Sequence, residues 1–537
     1  MRSRAFLALA ALGGALVTGG WLLRRGLVLG AAPASAQLFD DVLDHVARLY
    51  VDSIPRSALY TRAAEGMVQE LHDPYSAYLD PAHLQRLNES TGGTYAGLGV
   101  QIDLRDGWIT IIAPLPGSPA ARAGIQPGDR IVAVNGRSTE GWNADEASEA
   151  LRGRPGSTVA LTVQRPGVGD PLPFTVERAD IHVRSVRYPT MLTPQVGYVD
   201  LSIFSESTDD ELRNAIGELR RKGMTTLILD LRENPGGLLE QGVRVADLFL
   251  DAGQTIVSMR GRAMGATHDF VDEARQAWPG LDVIALVDGH SASAAEIVAG
   301  ALQDHDRGVI VGTTTYGKGS AQTVLPLDDG AGALKLTTAR WYTPSGRSIQ
   351  KAPADTTSGD DPGAPAPPAA PRREYHTDDG RVVYGGGGIT PDLVVPAADS
   401  GDGLLGFWRM LGPDVQRFRD ALTETALAVK GAHGVSAPDF AVTASMREDL
   451  WRRLAAKHVG LDRARYAANA AAVNRLLGDE IARFVFGPEA AFEREVRNDA
   501  VIAAALRLAT GAASEHELLM RAARVRAPAP AVPAPAP

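Results

Sequence analysis

The chain has 537 residues, enough for about three domains that each bury a core. Its net charge of −10, from 54 basic and 64 acidic residues, gives no general reason to expect nucleic acid as a partner. It contains no cysteine, which excludes disulfides, thiolate metal sites and catalysis by a thiol.

In chain order, Arg2 and Arg4 precede an uncharged apolar run from Ala5 to Leu23, long enough to span a bilayer. Arg24 and Arg25 end it, and Ala34-Ser35-Ala36 has the small residues of a signal-peptidase site. Residues 1–36 are therefore expected to be either a signal peptide or a retained membrane anchor. Either way the rest of the chain is expected to be exported, to the periplasm or another extracytoplasmic space.

Residues 37–91 carry apolar positions at helical spacing (Val42, Val46, Leu49, Tyr50), interrupted by the turn-like His72-Asp73-Pro74-Tyr75-Ser76. Residues 92–181 switch to short β-rich runs such as Trp108 to Ile112 and Arg130 to Val134, with one helix from Ala144 to Leu151. From Gly197 onward strands alternate with helices: Gly197 to Leu201, Asp209 to Lys222, Thr226 to Leu231, Leu238 to Leu250, Val283 to Val287. That alternation predicts an α/β core of βαβ units over residues 182–350 and 372–400, with chemistry on the loops after the strands. Residues 351–371, rich in Pro, Ala and Asp, read as a disordered insertion, 401–515 as helical, and 516–537 as a Pro/Ala-rich tail.

The segment Val311 to Ser320 has the glycine and lysine spacing of a phosphate-binding loop. Gly319 follows Lys318 where that loop needs Ser or Thr, and Ala321 to Pro326 reads as a strand rather than a helix, so the nucleotide reading is set aside. Asp288 to Glu296 is a small-residue turn between a strand and the helix predicted from Ala295 to Asp304. The helix end aims free amides at this turn, so a serine nucleophile there has an oxyanion partner, although serine before a helix is more often a plain cap. Gly289-x-Ser291 lacks the final glycine of a hydrolase elbow, and the eleven histidines show no zinc-binding spacing. A lysine made neutral by an apolar pocket can replace histidine as the base, which makes Lys318 a candidate and Gln322 its orienting partner. Asn234-Pro235-Gly236-Gly237 exposes backbone amides as a second source of oxyanion donors.

Taken together, Asp73 to Ser76, Gly197 to Val199, Leu229 to Leu238, Ser291 to Ile297, Tyr316 to Gly319 with Gln322, and Tyr342 to Arg347 resemble the carboxy-terminal processing, or tail-specific, proteases. These are exported serine peptidases with a PDZ domain inserted in the protease. The resemblance covers about residues 37 to 395 and implies a crotonase/ClpP-like spiral of βαβ units, an inserted PDZ domain over 92–181, and helical flanking regions. It implies Ser293, rather than Ser291, as nucleophile, Lys318 as base and Gln322 as its support. The oxyanion hole falls to Ala294 with one of Gly236 or Gly237, and Gly97, Leu98, Gly99 and Val100 to the loop that binds a peptide carboxylate. Asp288, Glu233 and Ala295 stand where the family more often has two asparagines and a serine. Expected partners are proteins with unstructured C-termini, with an adaptor lipoprotein, a membrane anchor and homo-oligomers open; no cofactor, metal or nucleic acid is expected. The rivals are a catalytically inactive PDZ scaffold and, from the related crotonase fold, acyl-CoA chemistry.

Overall fold

The structure, a computed structural model, describes residues 34–327, 330–351, 372–395, 403–512 and 514–526. The expected signal or anchor segment before residue 34, the insertion 352–371 and the tail from 527 lie outside the described residues. Among those described, no helix is long and apolar enough to cross a membrane.

The chain divides into two compact units. One takes in the described residues up to Pro81 together with Gln322–Thr337. It contains helices Ala34–Leu49 and Arg56–Gln69 and a short strand, Ala77–Leu79, paired antiparallel with Ala333 to Lys335. The turn Asp73-Pro74-Tyr75-Ser76 fastens these two segments of the unit together, because Ser76 Oγ donates to Asp73 Oδ2 at 2.6 Å and accepts from Thr337 N–H at 3.0 Å.

The second unit is built on a six-stranded sheet. In spatial order its strands are β1 (Val186–Met191), β2 (Val196–Leu201), β3 (Thr226–Asp230), β4 (Asp282–Val287), β5 (Val309–Gly312) and β6 (Leu393–Val394). All pairings are parallel except that of the edge strand β1. Both faces are covered, which is why β2 to β5 read as nearly unbroken apolar runs. Leu227, Leu229, Val283, Ala285 and Val287 point to one face, where they pack with helices α1 (Thr208–Arg221), α2 (Leu239–Asp247) and α3 (Ala294–Asp304). Ile228, Ile284, Leu286, Val309 and Val311 point to the other, where Val501, Ile502, Ala505 and Leu518 cover them. α1 shows why such helices form: Leu212, Ala215, Ile216 and Leu219 make one buried stripe, with acids in its first turn and Arg220 and Arg221 in its last.

Residues 94–182 form a small β-domain in this unit, with its own apolar core around Ile111, Ile131, Leu161 and Val163. Val100–Arg105 is the edge strand of its sheet, leaving one side unpaired. The Thr343-to-Arg347 turn is a clasp: the buried Arg347 guanidinium pairs with Asp304 at 2.6 Å, and Asp304 also accepts from Thr343 Oγ1 and Ser345 N–H.

The C-terminal region is helical, including α4 (Val415–Gly431), α5 (Ala470–Phe486), α6 (Pro488–Arg497), α7 (Ala500–Ala509) and α8 (Glu515–Arg526). The last of these corrects the sequence reading. The tail expected from residue 516 opens with α8, whose Leu518, Leu519 and Ala522 are buried against the sheet; its apolar spacing was hidden by the alanines that run on into the Pro-Ala segment. α4 reaches the β-domain, where Arg419 pairs with Asp103 at 2.9 Å and Gln416 donates to Leu104 C=O at 2.6 Å.

Candidate active site

The site gathers at the C-terminal ends of β3, β4 and β5, where three loops meet. The loop after β4 carries Ser291 and Ser293, and the structure separates their roles. Ser291 is fully buried; its hydroxyl donates to Leu231 C=O at 2.7 Å and accepts from Asp288 N–H at 2.9 Å, which commits it to holding the turn. Ser293 is half-buried at the head of α3, with φ +54 and ψ −114, a backbone state that L residues rarely adopt. The first amides of α3, beginning with Ala294, lack helical acceptors by their position.

The loop after β3 lies against it. Asn234 is buried, donates to Leu201 C=O at 2.6 Å, and its carbonyl accepts from Ala292 N–H at 2.9 Å. A Cβ on Gly236 would stand 2.8 Å from Ser293 Cβ and 3.0 Å from Ala294 N, so only glycine allows this approach. Gly236 N–H is already taken by Asn234 Oδ1 at 2.8 Å, whereas Gly237 is exposed and its amide is not so committed.

The loop after β5 brings Lys318. Tyr316 N–H donates to Ser291 C=O at 3.0 Å, and Gly319 N–H to Gln350 Oε1 at 3.0 Å. The segment continues as the strand Ser320–Pro326 rather than a helix, unlike a phosphate-binding loop. Gln322 lies on that strand and donates to Thr337 Oγ1 at 3.2 Å.

One residue joins the serine and lysine loops, and the sequence reading gave it no role. Glu296 is fully buried. Its Oε1 accepts from Thr315 Oγ1 at 2.6 Å and Gly317 N–H at 2.7 Å; its Oε2 accepts from Lys318 N–H at 2.9 Å and Ser293 N–H at 2.8 Å. Burial pushes its pKa up, while the four donors favour the charged form. Ser293-x-x-Glu296 has the form of a helix capping box, which was the signal available in the sequence.

On the opposite face of the sheet a cavity of about 570 Å³ lies between these loops and the C-terminal helices, lined in part by Tyr198, Asp200, Asp230, Arg232, Asp479 and Asp499. Tyr198 Oη donates to Asp230 at 2.7 Å, and Arg232 donates to both Asp230 oxygens. Burial lifts Asp200 to about 6 despite Arg187, and Asp479 to about 7. At the exposed rim Glu233, Asp288 and His290 offer ligand atoms within 4.8 Å of one another, a composition able to hold a metal ion. Their present contacts are with each other: His290 Nδ1 lies 3.0 Å from Glu233 Oε1, and Asp288 Oδ1 accepts from Glu233, His290 and Ser291 N–H.

The peptide-binding candidates Gly97 to Val100 occupy the turn into the edge strand of the β-domain. Leu98 is buried, and its carbonyl accepts from Ala120 N–H at 3.0 Å; Gly99 has φ +70 and no room for a Cβ, which would stand 2.4 Å from Ser118 Cβ.

Comparison with known proteins agrees with this architecture. Residues 195–357 match peptidase family S41, residues 110–165 the PDZ domain, and residues 32–82 the activating protease CtpB N-terminal domain. The carboxy-terminal-processing protease of Bartonella bacilliformis is 40% identical over 316 residues, covering 58% of this chain and 72% of that protein. The carboxy-terminal processing protease CtpA of Bacillus subtilis is 38% identical over 302 residues, covering 56% of this chain and 64% of that one. Among solved structures, a photosystem II D1 C-terminal processing protease aligns at 29% identity and a TM-score of 0.35, over 59% of this chain and 90% of that one. On the sequence matches, the chain belongs to the carboxy-terminal processing proteases, serine peptidases of family S41 that carry a PDZ domain.

Proposed function

We propose that this protease cleaves by a Ser293–Lys318 dyad. Ser293 Oγ attacks the scissile carbonyl, Lys318 Nζ takes its proton and returns it to the leaving amine, and water, deprotonated in turn by the lysine, releases the acyl group. Gln322 orients the amine. The tetrahedral oxyanion is received by Ala294 N–H and, of the two glycines, by Gly237 N–H, since Gly236 N–H is in use. The carrying observation is the Glu296 carboxylate, one oxygen of which accepts both Ser293 N–H and Lys318 N–H. That shared acceptor supports a reading in which the two residues act together.

Substrates are proteins with unstructured C-termini. The outer side of Val100–Arg105, where Gln416 occupies the Leu104 carbonyl at the far end, suits addition of the tail as a further strand along its first residues, with the carboxylate on the amides of Gly97 to Val100. The protein acts after export, in the periplasm or another extracytoplasmic space, anchored or released; an adaptor lipoprotein and self-association belong to the same reading.

The test incubates the chain with an unfolded protein beside Ser293→Ala and Lys318→Ala. Cleavage by the parent, with a loss on the order of 10³-fold or more in each variant, supports the dyad. Equal inertness of all three would favour an inactive scaffold. Gly99→Ala should weaken capture of a tail peptide while hydrolysis of a short peptide continues. Mass spectrometry of the mature N-terminus decides between anchor and signal.

A further inference from the structure

The C-terminal helices lie beyond the residues that match family S41, and one of their side chains reaches the loop after β3. Asp499 caps α7: its Oδ1 accepts from Val501 N–H at 2.8 Å and Ile502 N–H at 3.0 Å. Its other oxygen, Oδ2, accepts from Arg232 Nη1 at 2.9 Å. Arg232 stands where β3 ends and the Glu233-to-Gly237 loop begins, and its remaining donors go to Asp230. The guanidinium is thus held on one edge by the strand and on the other by α7. Both side chains are only 20% exposed, so solvent and salt screen the pair less than a surface one. From Arg232 the chain runs two residues to Asn234, whose side chain and carbonyl fix the loop to β2 and to the serine turn.

We infer that Asp499 is a positioning residue for catalysis: by holding Arg232 it sets the start of the loop that presents Gly237 N–H to the oxyanion. This rests on the oxyanion hole proposed above and gives the C-terminal helices a part in the reaction. A bidentate carboxylate–guanidinium contact already fixes one edge of Arg232, so the second contact tunes its orientation rather than creating it.

Asn at position 499 separates this role from capping, because its carbonyl can still accept the two α7 amides while its NH2 cannot accept from Arg232. In the full chain, Asp499→Asn should melt like the parent yet show kcat lowered about tenfold, with KM nearly unchanged. Its affinity for a peptide boronic acid, whose tetrahedral adduct on Ser293 uses the same hole, should fall by a similar factor, while tail-peptide binding stays constant. Asp499→Ala should lose both cap and partner, so melting temperature and kcat both fall, and Asp499→Glu should recover part of kcat. Asp499→Asn with parental kcat and boronate affinity would overturn the inference, as would a kcat loss matched by a fall in melting temperature. A parent chain that cleaves nothing would overturn the protease reading itself.

Discussion

Two carboxylates serve the loops of the candidate site, and their surroundings differ. Glu296 is fully buried, accepts from amide and hydroxyl donors, and ties together segments near each other in sequence. Asp230 lies beside the cavity and works through an arginine, whose second carboxylate comes from 267 positions along the chain. The first arrangement fixes geometry through hydrogen bonds from uncharged donors. The second joins distant parts of the fold and gathers several charges in partly buried space, so it brings a dependence on pH.

Breaking the Glu296 side should cost most. Glu296→Ala would strip the acceptor from four donors, and a loss of about 3 kcal/mol or more in urea unfolding is expected, together with loss of cleavage. Glu296→Gln keeps the size but replaces one acceptor oxygen by an NH2 group. Displacement of either loop should then lower kcat about 100-fold in steady-state assays, with little response to salt.

Gly236→Ala probes the loop that borders both regions. At φ +92 and with Ala292 C=O 2.7 Å from the added Cβ, the loop must shift away from Ser293. Reduced kcat with normal tail-peptide binding is the expected result.

The ionic side should give a smaller effect, visible as a pH profile. Asp200 and Asp479 bind protons more tightly in the fold, near 6 and 7, than at the usual value of 3.8. Their contribution to stability is therefore fully present below about pH 4 and is lost as pH rises through those values. Asp479→Asn should flatten the decline between about pH 4 and 7 and raise the melting temperature most above about pH 7, as scanning calorimetry can measure. An unchanged profile would show that the Asp479 charge is better compensated than its distance of 3.6 Å from Arg494 suggests.

The same contrast sets what could be read from the sequence. The parallel core was legible because both faces of the sheet are covered, which leaves long apolar strands between helices. The serine turn and the lysine loop were legible as short motifs, and even Glu296 left a capping-box pattern. The linkage of that glutamate to Thr315 and Gly317, and the reach of Asp499 to Arg232, were not legible, because they depend on which loops the fold places side by side. Val186–Met191 was missed because Arg187 and Pro189 interrupt its apolar pattern, and Leu393–Val394 because two residues cannot show a period.

The backbone of Ser293, with its positive φ, has a consequence for the folded chain as a whole. Holding a non-glycine residue there opposes folding by about 1–3 kcal/mol. Ser293→Gly would remove the proposed nucleophile and release the strain, so the variant should outlast the parent on heating.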